Sequence, residues 1–133
     1  MTSDKKDPLA SLFINNARAV DRQQLKALVT PFLSIDQNSR EFATLPAFWK
    51  IDGNTAKIEI MLAAAKARAL YLNEPEGLLP GEIIATEIMA VGSVKSSIKK
   101  LFDEHKIKQD KEGRYFIPSY RIPELIKQFS KNS

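Results

Sequence analysis

Cysteine is absent from the 133-residue chain, which rules out disulfides, thiolate metal sites and cysteine nucleophiles and fits a reducing compartment. His105 is the only histidine. A catalytic triad would need it beside a serine and an acid, and a zinc site would need further strong ligands, so its expected role is to stabilise the carbonyl-rich end of a helix. Only five glycines are present, and they form no phosphate-cradling loop. Asp36, Asn38 and Arg40 have the opening rhythm of a calcium loop, but the glycine at its sixth position and the acid at its twelfth are missing. Long apolar runs are lacking too, because Glu59, Lys66 and Arg68 interrupt the most hydrophobic stretch, Ile58 to Leu72. Met1 to Asp7 is polar and precedes no secretory signal. These absences predict a cytoplasmic protein without metal, cofactor, membrane span or catalytic function.

What is there suits one globular domain, or a small domain with an N-terminal extension. The formal net charge of +4 is mild, but the charge is unevenly placed. Asn73 to Gly92 holds four acids (Glu74, Glu76, Glu82, Glu87) and no base, whereas Ser93 to Tyr115 holds seven bases against four acids. Such a step can steer a polyanion toward one surface.

Local signals divide the chain into elements. Asp7 with Pro8 predicts a short helix through about Phe13, and Asp21 predicts a second, with Leu25, Leu28 and Val29 at helical spacing until Pro31. Residues 32–36 and 41–45 alternate around a turn-rich 37–40, predicting a hairpin. Phe48, Trp49 and Ile51 are expected to pack. Thr55 is expected to cap a helix reaching about Leu72, striped by Ile58, Met61, Leu62, Ala65, Ala69 and Leu72. A loop with Pro75 and Gly77 precedes a helix running from Pro80 and Gly81 to about Met89. Ala90 to Gly92 should turn, and Ser93 should cap a helix to about His105, burying Val94, Ile98, Leu101 and Phe102 with Ser97 on its flank. Two strands, Ile107 to Gln109 and Tyr115 to Pro118, should flank a tip with Gly113 at positive φ, one of Tyr115 and Phe116 facing the core. Pro123 opens a last helix, Glu124 to about Ser130, turning Leu125, Ile126 and Phe129 inward.

The segment PGEIIATEIMAVGSVKSSIKKLFDEHKIKQDKEGRYFIP follows the order helix, turn, helix, hairpin. From Thr55 to about residue 130 the chain resembles the winged helix-turn-helix superfamily. The expected fold is therefore mainly α with a small β-hairpin wing: a winged helix-turn-helix over 55–133 and a helical and hairpin extension over 1–54, suited to oligomerisation.

The resemblance implies that the Ser93 helix reads DNA. Removing its apolar stripe leaves Lys95, Ser96, Lys99 and Lys100 outward, residue types that contact phosphates and base edges. Ser93 at the start would sit among amides able to receive a phosphate. Lys106, Lys108, Lys111 and Arg114 belong to the wing, and Lys108, Lys111 and Arg114 are its expected backbone contacts, alternating with Asp110 and Glu112. The reading helix carries no arginine, so sequence specificity should be modest, and Glu82 and Glu87 would oppose a polyanion if they faced it. Double-stranded DNA is the expected partner of a homodimer paired through the N-terminal extension. The rival expectation is a winged-helix protein-interaction subunit of a larger assembly; RNA binding would use the same basic face.

Overall fold

A computed structural model describes residues 7–13 and 21–131; Met1 to Lys6, within the polar start and the 1–54 extension, lie outside the described residues. Asp7 caps as expected, its carboxylate accepting from the Leu9 amide at 2.9 Å, but Pro8–Leu12 closes as a 3₁₀ turn. Helix α1 (Arg22–Val29) starts on Asp21, whose Oδ1 accepts from the amides of Gln23 and Gln24, and buries Leu25, Leu28 and Val29. The expected hairpin follows as β1 (Leu33–Ile35) and β2 (Phe42–Thr44), antiparallel with Ile35 opposite Phe42 and Leu33 opposite Thr44. Its turn is held by Asp36 Oδ2, which accepts from the amides of Asn38 and Ser39 at 3.0 and 2.7 Å. These hydrogen bonds, those of Ser39 first, hold the Asp36 carboxyl below its ordinary pKa.

A single turn, α2 (Pro46–Trp49), buries Phe48, and Ile51 follows it inward. Trp49 departs from the expected packing. It sets its edge against Phe48 but remains about half exposed, with the Lys57 ammonium over its ring.

Helix α3 (Asn54–Leu72) is the centre of the molecule. It starts one residue before Thr55, because Gly53 at φ +99° takes the flanking position and Thr55 makes no cap. The apolar stripe is also wider than its sequence pattern. Residues 58–66 are buried without interruption, since α1 and the β1–β2 hairpin pack on the side of α3 away from the Val91–Asp103 helix.

Two charges that break the apolar run are consequently inside. The Glu59 carboxylate accepts from Arg121 Nε and Nη2 at 2.7 and 3.2 Å, with both side chains nearly solvent-free. Burial pulls the Arg121 pKa down, and hydrogen bonds to Glu59 and Glu124 outweigh it, so the guanidinium is held above its ordinary value. Lys66, with 2 % of its side chain exposed, donates to Glu76 Oε1 at 3.0 Å and ties the 73–79 loop to the helix.

Pro80 opens α4 (Pro80–Ala85), as its missing amide allows. This helix stops short of the expected Met89. The reversal is made by Glu87 at φ +57°, so the turn falls over Thr86 to Met89 and α5 (Val91–Asp103) begins two residues before Ser93. Ala90 flanks the new start without a side-chain cap, and Ser93 lies inside the first turn.

On α5, Ser97 is buried rather than flanking, because it stands three residues after Val94 and four before Leu101, at the middle of their stripe. Phe102 lies one position past that stripe and is 43 % exposed, touched edge-on by Tyr115 at 5.9 Å. The helix closes through His105 at φ +61°, whose amide donates to the Phe102 carbonyl while that of Lys106 donates to Leu101.

Strands β3 (Lys108–Gln109) and β4 (Tyr115–Phe116) form the wing hairpin. Gly113 takes φ +85° at its tip as expected, and neither Tyr115 nor Phe116 is fully buried or fully exposed. Leu78 joins β4 from the other side through a reciprocal pair of 2.8 Å hydrogen bonds with Tyr115. Helix α6 (Arg121–Lys131) begins two residues before Pro123 and returns Leu125 to the core, with Ile126 and Phe129 partly buried. The whole is a mainly α fold with a small β-hairpin wing.

Candidate nucleic-acid interface

Helix α5 separates two chemistries by its period. Val94, Ser97, Ile98 and Leu101 face the core, while Lys95, Ser96, Lys99 and Lys100 are exposed along the opposite side. The expected face therefore exists as one surface, although its members differ in freedom. Lys99 reaches Asp103 at 3.0 Å one turn later, a solvent-exposed pair with 78 % of the lysine side chain accessible, and such a pair yields readily to a competing anion. Lys95 and Lys100 make no ion pair among the described residues. The Ser96 hydroxyl donates to the Ser93 carbonyl at 3.3 Å. With no side-chain cap on Ala90, the first amides of α5 are open to an external acceptor beside these cations.

The wing supplies less free charge than its sequence. Lys111 is exposed beside the tip, and Lys108 is exposed with its ammonium 5.7 Å from the centre of the Tyr120 ring. Arg114 is drawn inward: its Nη1 donates to Glu82 Oε1 at 2.9 Å, and the side chain is about one-third exposed. Asp110 acts as a turn residue, its Oδ1 accepting from the amides of Glu112 and Arg114, both at 2.9 Å. Lys106 pairs with Glu104 at 3.3 Å.

The acids before α5 find internal uses. Glu74 pairs with Arg40 at 3.2 Å, Glu76 with Lys66, and Glu82 both accepts from the Leu79 amide at 2.7 Å and holds Arg114. Glu87 alone of the four makes no ion pair among the described residues, and it stands in the turn leading into α5. The acidic stretch is thus largely neutralised by contacts that also fix the wing and the hairpin in place.

The sequence alone does not identify the partners of Arg40 and Lys66 or the Glu82 to Arg114 contact. Alternation of sign between a helix and a distant wing gives no local signal, whereas a lysine amid Ala63, Ala64 and Ala65 does point to a buried partner. Among the described residues no cluster of histidine and acids could hold a metal, and no helix is long and apolar enough to cross a membrane. No family model, curated protein or solved structure matches this chain.

Proposed function

We propose that the chain is a non-catalytic double-stranded DNA-binding protein of winged helix-turn-helix type, either a transcriptional regulator or an accessory factor in plasmid, phage or replication biology. The observation carrying this reading is the outward face of α5, with Lys95, Ser96, Lys99 and Lys100 over a buried Val94, Ile98 and Leu101 stripe. In this arrangement α5 enters the major groove, the lysines meet phosphates and base edges, and Lys108 and Lys111 hold the backbone alongside. Arg114 joins only by leaving Glu82, so its contribution is the smaller. Binding is mainly electrostatic and modest in sequence preference.

A homodimer paired through the N-terminal extension suits a module too small to bury much DNA alone. The exposure of Leu9, Leu12 and Phe13 supports such pairing.

A second reading, a protein-interaction subunit, is favoured by the engagement of Arg114 with Glu82 and by the exposure of Val91 and Phe102 on α5. Mobility shift of a mixed pool of duplexes at low salt separates the two. The DNA reading expects retardation that the Lys95→Ala/Lys99→Ala double variant largely loses; no retardation of any duplex, or an unaffected variant, overturns it. Duplex RNA competing better than duplex DNA would move the assignment to RNA.

A further inference from the structure

Between the β1–β2 hairpin and the second half of α3 lies a cleft of about 500 Å³, within the size range of small-molecule sites. Its floor is apolar, built from Ile35, Ala67 and Leu72, and its wall is Tyr71, which is 84 % exposed. Arg40 and Arg68 also line it.

The two arginines are not equivalent. Arg40, held at φ +65° by the hairpin turn, is balanced by Glu74 at 3.2 Å. Arg68 lies over Phe42, its guanidinium carbon 4.4 Å from the ring centre, and Nη1 donates to the Arg40 carbonyl at 2.6 Å. No carboxylate pairs with Arg68 among the described residues. The one acid in the lining, Asp36, engages the hairpin-turn amides through Oδ2 and is not within ion-pair distance of Arg68. An apolar floor therefore meets a half-buried guanidinium that no carboxylate contacts as an ion pair among the described residues. A guanidinium with N–H groups to spare favours a carboxylate over a neutral head group.

We propose that this cleft binds a small monocarboxylate with an apolar body, the carboxylate on Arg68 and the body against Ile35, Ala67 and Leu72 beneath Tyr71. The site is independent of the DNA face on α5 and stands whether or not that face binds nucleic acid.

Calorimetric titration of the full chain with octanoate and with octanamide, its neutral isostere, tests the proposal. One octanoate should bind per chain, with octanamide weaker by about tenfold or more, and amide chemical-shift changes should centre on Ile35, Ala67, Tyr71 and Leu72. Tyr71→Ala, at a position outside the core, should weaken both probes alike. Arg68→Gln should reduce octanoate to the level of octanamide. Where that variant fails to fold, the comparison of the two probes on the wild-type chain decides alone. Lack of saturation, equal affinity for both probes, or shifts centred elsewhere would overturn the proposal.

Discussion

Single residues set several of the turns. Asp36 folds the hairpin turn with its ionised carboxylate, so its lowered pKa gives the sign of a pH effect: the contribution is complete above the ordinary aspartate value and disappears as pH falls through the lowered one. An NMR titration of the Asp36 carboxyl and the Ser39 amide should show both moving together in that acidic window. Asp36→Asn should retain part of the turn while removing the pH response. Gly77 is constrained more severely. At φ +112° it passes so close to the wing that a Cβ would lie 2.9 Å from Arg114 Cβ and 3.3 Å from the Tyr115 carbonyl oxygen. Gly77→Ala should therefore lower stability by about 1–3 kcal/mol in urea denaturation, backbone strain alone accounting for that scale, and should displace the Leu78 to Tyr115 pairing.

At the scale of elements, the charges on α3 show where sequence reading stops. Periodicity predicts the helix and much of its apolar stripe, because Ile58, Met61, Leu62 and Ala65 repeat at 3.6-residue spacing. It does not predict that Glu59 and Lys66 lie inside, since their partners, Arg121 and Glu76, come from elements whose placement only the fold decides. The start of α5 at Val91 rather than Ser93 has a related reason. Ser93 has the chemistry of a cap, but the chain reverses earlier at Glu87, a glutamate in a left-handed conformation that composition does not announce. The wing hairpin and its glycine tip were legible because turn chemistry is local. For the buried Glu59 to Arg121 pair, removing Glu59 leaves the buried Nε of Arg121 without its acceptor and the guanidinium with only the exposed Glu124 carboxylate as counter-charge. Glu59→Gln should cost about 1–3 kcal/mol, while replacing both residues by methionine should recover most of that loss. Chemical denaturation of the two variants checks this difference.

For the whole molecule, the core is continuous from Leu25 on α1, through α3, to Leu125 on α6. The residues before α3 cover it: Leu25, Leu28, Leu33 and Phe48 are buried in the same cluster as Ile60 and Ile117. Unfolding of the full chain should accordingly be one cooperative transition by calorimetry, with calorimetric and van't Hoff enthalpies equal. A fragment beginning at Asn54 should lose that transition or aggregate, because it leaves one side of α3 open to water.

The same architecture holds α5 with its lysines outward while drawing Glu74, Glu76 and Glu82 into ion pairs, which leaves the α5 face open to the duplex of the proposed function. Fluorescence anisotropy of a labelled duplex, titrated at several salt concentrations between about 50 and about 200 mM, tests that function most directly. Log affinity should fall linearly with log salt, and Lys95→Ala/Lys100→Ala should make the slope shallower by about two phosphate contacts. A duplex affinity that ignores salt, or a double variant with the wild-type slope and affinity, would contradict it.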